Sequence, residues 1–154
     1  MAVFRAPMRA RDRDAPAGAG GEHGVERGLV GIGDLLPTPP ATLDDAVEAA
    51  TRAHGEKAGR MLRHFAGVPD GSFVWTLVEG FYFLGRIAGP WRYDDSPAAQ
   101  QVGIHHVRPA HWLDRPFGEH EVPEAVATTF ARGGRNFQRI HGEAVERQTA
   151  ELWR

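Results

Sequence analysis

FVWTLV (Phe73–Val78) and FYFLGRIA (Phe81–Ala88), joined by Glu79 and Gly80, decide the fold class. Two runs rich in β-branched and aromatic residues, separated by a two-residue turn ending in glycine, read as a β-hairpin. On the first strand Phe73, Trp75 and Leu77 share a face; on the second, Phe81, Phe83, Gly85 and Ile87 alternate with Tyr82, Leu84 and Arg86. Large apolar groups fall on both faces. The hairpin therefore belongs in the middle of a sheet that is covered on both sides or curled into a barrel.

Downstream, Gly89–Pro90 ends the second strand, and Trp91, Arg92 and Tyr93 follow in a loop or strand start. Residues 94–101 read as a polar loop containing Pro97, and VGIHHVRPAHWL (102–113) resumes strand character. Pro109 lacks an N–H and confines the later part of that strand to an edge or a bulge. Pro123 suits a first helical residue, so 122–132 reads as a helix that Gly133–Gly134 ends. RNFQRI (135–140) reads as a last strand and 143–153 as a carboxy-terminal helix.

Upstream, Thr42 and Asp45 form a capping-box-like start. Leu43, Val47, Ala50, His54, Ala58, Met61, Leu62 and Phe65 then recur at helical spacing, giving one helix over 43–66 or two with a break near Gly55 and Gly59. GLVGIG (28–33) reads as a buried strand and residues 2–6 as a short one. Between them, residues 8–28 hold five Gly, four Ala and eight charged residues with only Met8 and Val25 as larger apolar side chains, a composition expected of a flexible loop.

The whole chain, 1–154, is of a size for one α+β domain, and it can form a core without disulfides or structural metal. With no cysteine, thiolate–zinc sites, iron–sulfur clusters and thiol nucleophiles are excluded. No apolar run approaches the roughly 20 residues that span a bilayer, so a cytoplasmic protein with no membrane partner is expected. Eighteen basic and twenty acidic residues give a net charge of -2, which argues against coating nucleic acid by electrostatics alone and leaves a local basic groove open. Seventeen of the eighteen basic residues are Arg, Lys57 being the exception; a GC-rich genome accounts for that as well as bidentate recognition does.

Catalytic motifs are missing. Ser72 and Ser96 lie in no nucleophile elbow, Gly31–Ile32–Gly33 runs into prolines rather than a helix, and Lys57 follows no phosphate-binding loop, so no cofactor is expected. His105 and His106 are adjacent on a strand and point to opposite faces, so they cannot chelate one ion together. Trp75, Tyr82, Trp91, Tyr93 and Trp112 fall within 38 residues and alternate with Arg86, Arg92 and Arg108. That pattern suits a pocket that sandwiches a planar base between rings and guanidinium groups; it equally suits core aromatics with arginines outside.

GSFVWT (71–76), FLGRIAGPWRYDD (83–95), HHVRPAHWL (105–113) and VPEAVATTFARGGRNFQRI (122–140) together resemble the PUA-like, EVE-related domain found beside Mrr-type restriction nucleases and as stand-alone bacterial proteins. VFRAP (3–7) and GLVGIG (28–33) are similar to that family's first strand and its Ile-Gly-Trp segment, so the resemblance covers nearly the whole chain apart from residues 8–28. Ser72 stands where the family usually has an acidic residue, and Asp34 where it often has Trp, which removes one wall of the usual aromatic cage.

The resemblance implies a small curved PUA-like β-barrel with inserted and carboxy-terminal helices, and a non-catalytic module that binds DNA or RNA through a modified base flipped into a pocket, with a separate nuclease as partner. Carried over residue by residue, it places Arg5, Gly33, Asp34, Trp75, Thr76, Trp91, Arg92, Tyr93, His106 and Arg108 at the pocket. Two other readings stay open from sequence. One is a small-molecule- or partner-binding regulatory domain closed by the 8–28 loop. The other is a hydrolase using His106 or His111 with Asp94, Asp95 or Glu119.

Overall fold

The computed structural model describes residues 1–11 and 16–154. Seven strands, β1 (Val3–Arg5), β2 (Leu29–Ile32), β3 (Phe73–Val78), β4 (Phe81–Ile87), β5 (Arg92–Tyr93), β6 (His106–Trp112) and β7 (Gln138–Arg139), form one strongly curled half-barrel. Their order is β2-β6-β4-β3-β1-β7, with β5 alongside β6. All pairs are antiparallel except β1 with β3. Among the described residues, six α-helices accompany the sheet, α1 (Ala19–Arg27), α2 (Leu43–His54), α3 (Glu56–Gly67), α4 (Pro97–Val102), α5 (Glu124–Ala131) and α6 (Glu143–Trp153), with a turn of 3-10 helix at Glu119–Glu121.

The β3–β4 hairpin has the register expected of its two-residue turn, Thr76 opposite Phe83 and Val78 opposite Phe81, and it sits mid-sheet. Alternation along it feeds two cores. Val74 and Ile87 join Phe4, Val30, Leu62, Phe65 and Val107 inside the curl, closed by α2 and α3. Phe73, Trp75, Tyr82 and Leu84 join Phe117, Val126 and Val145 under α5 and α6.

Three local expectations are corrected. Of the segment expected to be a flexible loop, residues 12–15 lie outside the described residues, but Ala19–Arg27 is a helix ended by Gly28 in the left-handed region at φ 69°. Its glycines serve close packing. A Cβ on Gly20 would sit 1.8 Å from the Met8 carbonyl oxygen, one on Gly21 2.9 Å from Thr76 Oγ1, and one on Gly24 2.7 Å from the Leu29 carbonyl oxygen. The helix buries backbone where others bury side chains, so it lacks an apolar stripe.

Residues 94–101, expected as loop, contain most of α4, started by Ser96 Oγ accepting from the Ala99 N–H at 3.2 Å with Pro97 in its first turn. Pro109, expected at an edge or a bulge, lies in an interior strand. β6 keeps β2 on one side while its other side passes from β5, at His106–Val107, to β4, at Ala110–Trp112. The Ala110 N–H goes to the Gly28 carbonyl on the β2 side, so alternation aims the missing Pro109 donor at the gap between β5 and β4. The 43–66 segment is two helices, parted at Gly55 with φ 99°. No helix among the described residues is long and apolar enough to cross a membrane.

Candidate functional site

A cavity of about 170 Å³ opens where four chain segments meet. The end of β2 and the residues just after it deliver Ile32, Gly33 and Asp34; the α2–α3 joint delivers His54, Lys57, Ala58 and Met61; the stretch after β1 brings Arg9 and Arg11; and the approach to β7 brings Arg135 and Asn136. The break at Gly55 matters here. It turns α3 away from α2, so that His54 at the end of one helix and Lys57 at the start of the next face the same hollow.

Asp34 and Arg11 face each other as a two-point pair, Arg11 Nη2 donating to Oδ2 at 3.0 Å and Nε to Oδ1 at 3.3 Å. Arg11 is half exposed and Asp34 largely covered, so the pair can exchange partners with an incoming group at modest cost. The cavity thus holds an acceptor and a donor side by side, an apolar side from Ile32, Ala58 and Met61, and a rim of Arg9, Lys57 and Arg135.

Behind the Asp34 segment, histidines and aromatics form a second layer. The Leu36 N–H donates to the Tyr93 hydroxyl at 3.0 Å, and His54 Nε2 donates to the Leu35 carbonyl at 3.1 Å, which together fix the chain that follows Asp34. Tyr93 stacks on His105, centroids 5.8 Å apart and planes 21° apart, and Trp91 stacks on His106 at 6.1 Å and 21°. His105 Nδ1 donates to the Asp94 carbonyl at 2.8 Å. Trp91 Nε1–H donates to His106 Nδ1 at 3.2 Å, which assigns the neutral His106 proton to Nε2. Burial pushes His106 down to about 4, His105 adds to the fall, and Asp34 opposes it, so the ring is neutral near pH 7.

The ten residues expected at the pocket therefore divide. Gly33 and Asp34 line the cavity. Trp91, Tyr93 and His106 brace it from behind, ring against ring, rather than flanking an open slot. Arg92 is exposed, 4.0 Å from the Asp94 carboxylate.

The other four do not line this cavity. Trp75 is fully buried among core residues, edge-on to Phe117, with Nε1–H donating to Thr149 Oγ1 at 3.2 Å. Thr76 is buried beneath Gly21 of α1. Arg5 donates to the carbonyls of Thr129, Gly133, Gly134 and Asn136, tying the 129–136 turn to β1. Arg108 donates to the carbonyls of Phe65, Val68 and Gly89 and to the Asp70 carboxylate. A long cation with a ring of carbonyls around it ties loops together.

Sequence reading missed Arg9, Arg11, His54, Lys57, Met61, Arg135 and Asn136. Arg9 and Arg11 sit in the segment whose composition suggests a flexible loop; Arg135 and Asn136 read as strand, whereas only Gln138–Arg139 pairs. Among the described residues, no three His, Asp or Glu side chains converge to hold a metal ion. Among the described residues, neither His106 nor His105 hydrogen-bonds a carboxylate: one accepts from Trp91, the other donates to a carbonyl.

No known family profile matches the sequence, and no curated protein does. Among solved structures, the chain is similar to the YTH domain of the Zygosaccharomyces rouxii MRB1 protein in complex with N6-methyladenosine RNA. Identity is 12%, the TM-score is 0.46, and the match covers 99% of this chain and 86% of that one.

Proposed function

We propose that this chain is a non-catalytic, single-domain nucleic-acid reader of the PUA-like, EVE-related kind, which takes one modified base, extruded from its stack, into the cavity beside Asp34. The observation that carries this reading is the cavity itself: a hollow of about 170 Å³, suited to a single base, in which Asp34 and Arg11 set an acceptor beside a donor. The exposed edge of an extruded base presents a donor next to an acceptor, and this pair meets both. Ile32, Ala58 and Met61 supply the surface for the ring and an added methyl, and Arg9, Lys57 and Arg135 meet the adjoining phosphates.

The family-like segments GPWRYD and HVRPxxWL support the same assignment, because their Trp91, Tyr93 and His106 brace the Asp34 segment. A module of this kind selects a site and leaves cleavage to a separate nuclease.

Titration of Trp91-sensitive fluorescence and of gel mobility with short DNA and RNA strands, methylated and unmodified, tests the reading. One methylated strand should bind at least tenfold more tightly than its unmodified counterpart, a gap of about 1.4 kcal/mol. Absence of binding to every strand at low salt overturns it.

A further inference from the structure

Next to the base cavity, and sharing Lys57 and Met61 with it, lies an open trough of about 1240 Å³ between α3, α5, β7 and α6. We propose that this trough carries the phosphodiester backbone of a single strand of nucleic acid flanking the base. The proposal rests on the base-cavity reading for its starting point, and its chemistry is separate.

The trough exceeds the usual range of roughly 300–1,000 Å³ for small-molecule sites, which fits an extended occupant. Its rim carries Lys57 and Arg60 from α3, Arg132 from the end of α5 and Arg139 from β7, against Glu124 as the acidic lining residue. Arg60 is 3.7 Å from Glu56 and Arg139 3.6 Å from Glu146, exposed pairings that a phosphate can replace at little cost. Among the described residues, Lys57 and Arg132 have no carboxylate within 4.0 Å. With Glu56 and Glu146 beside Arg60 and Arg139 and Glu124 on the lining, the four cations leave the rim with an excess of one positive charge in a chain of net charge -2.

Met61 lies along the floor above the buried ring of Phe137, and His64 and His141 add flat polar rings. A cationic rim above an apolar floor suits one strand, whose phosphates meet the rim while its bases turn inward. A duplex keeps its bases stacked within itself and gains nothing from the floor. An acidic peptide fits the rim charge but has no use for the base-sized cavity at one end.

The test uses fluorescence anisotropy with labelled oligothymidylate, its duplex with oligoadenylate, and polyglutamate as competitor. The variant Arg132→Glu/Arg139→Glu alters two exposed side chains and should unfold at the wild-type temperature. It should weaken the single strand at least tenfold and lower the salt slope by about 1.4, at roughly 0.7 for each phosphate that is no longer neutralised. Affinity for a single methylated nucleotide should not change.

Wild-type affinity of the variant for the strand, equal binding of the duplex, or equal competition by polyglutamate overturns the proposal. If the variant binds the strand normally while Asp34→Ala removes discrimination between methylated and unmodified strands, the trough is wrong and the base cavity stands. If the variant loses the strand and no strand shows discrimination, the trough stands and the base cavity is wrong.

Discussion

The Arg11 guanidinium and the Asp34 carboxylate meet through two hydrogen bonds, of 3.0 and 3.3 Å, at the edge of a base-sized cavity. Because Arg11 is half exposed, the pair contributes at most about 1 kcal/mol to stability. Hydrogen bonds from charged groups to a bound base contribute about 1.5–3 kcal/mol each. Asp34→Ala and Arg11→Ala should therefore leave thermal unfolding within a few degrees of wild type while weakening a methylated strand ten- to a hundredfold. Calorimetry and anisotropy on the same preparations check this; equal losses of stability and binding would make the pair structural.

Helix α1 gives a second test, in which two effects of opposite sign compete. Alanine in place of a helical glycine ordinarily stabilises by up to about 1 kcal/mol. At Gly20 the new Cβ would lie 1.8 Å from the Met8 carbonyl oxygen, so the helix must lift off and the clash wins, at about 2 kcal/mol of destabilisation. Gly67, the last residue of α3, has nothing within 4 Å of its Cβ position, and Gly67→Ala should stabilise by about 0.5 kcal/mol. Urea unfolding of the two variants should move in opposite directions.

The same contrast shows what was legible in the sequence. The hairpin was readable because a two-residue turn and strict alternation are local signals, and its pairing followed from them. Helix α1 was not, since its recognition depends on apolar spacing and this helix packs through glycine backbone. At the cavity, Gly33 and Asp34 came from the family resemblance of the segment GLVGIG and the residue after it, and both line the hollow. Arg9, Arg11, Lys57 and Arg135 were not found, because the fold gathers them from positions up to 126 residues apart, and no local pattern distinguishes an arginine at a cavity rim from one in the core.

Arg108 illustrates that last difference and yields a third prediction. Its guanidinium spans the Phe65, Val68 and Gly89 carbonyls and meets Asp70 at 2.7 Å. Removing it strands three carbonyls and leaves a cavity, so Arg108→Ala should cost about 3 kcal/mol. The protein that remains folded at low temperature should bind oligonucleotides as the wild type does. A loss of affinity without a loss of stability would return Arg108 to the binding site.

His106 supplies a fourth prediction, in which the sign follows from its neutral burial. Its folded-state value lies at about 4 against an ordinary 6.5, so between those values the unfolded chain takes up a proton that the folded one refuses. Its contribution is complete above pH 6.5 and is lost as pH falls toward 4, about 3 kcal/mol over the window at 1.36 kcal/mol per unit. His106→Asn keeps an acceptor for the Trp91 N–H yet cannot titrate, so its stability should fall less steeply than the wild type's between pH 6.5 and 4. Because Trp91 and Tyr93 pack on this ring and the Tyr93 hydroxyl accepts the Leu36 N–H, protonation should loosen the Asp34 segment before the sheet unfolds. Tryptophan fluorescence should report a transition at a higher pH than far-ultraviolet circular dichroism does; coincident transitions would show that the ring titrates only with global unfolding.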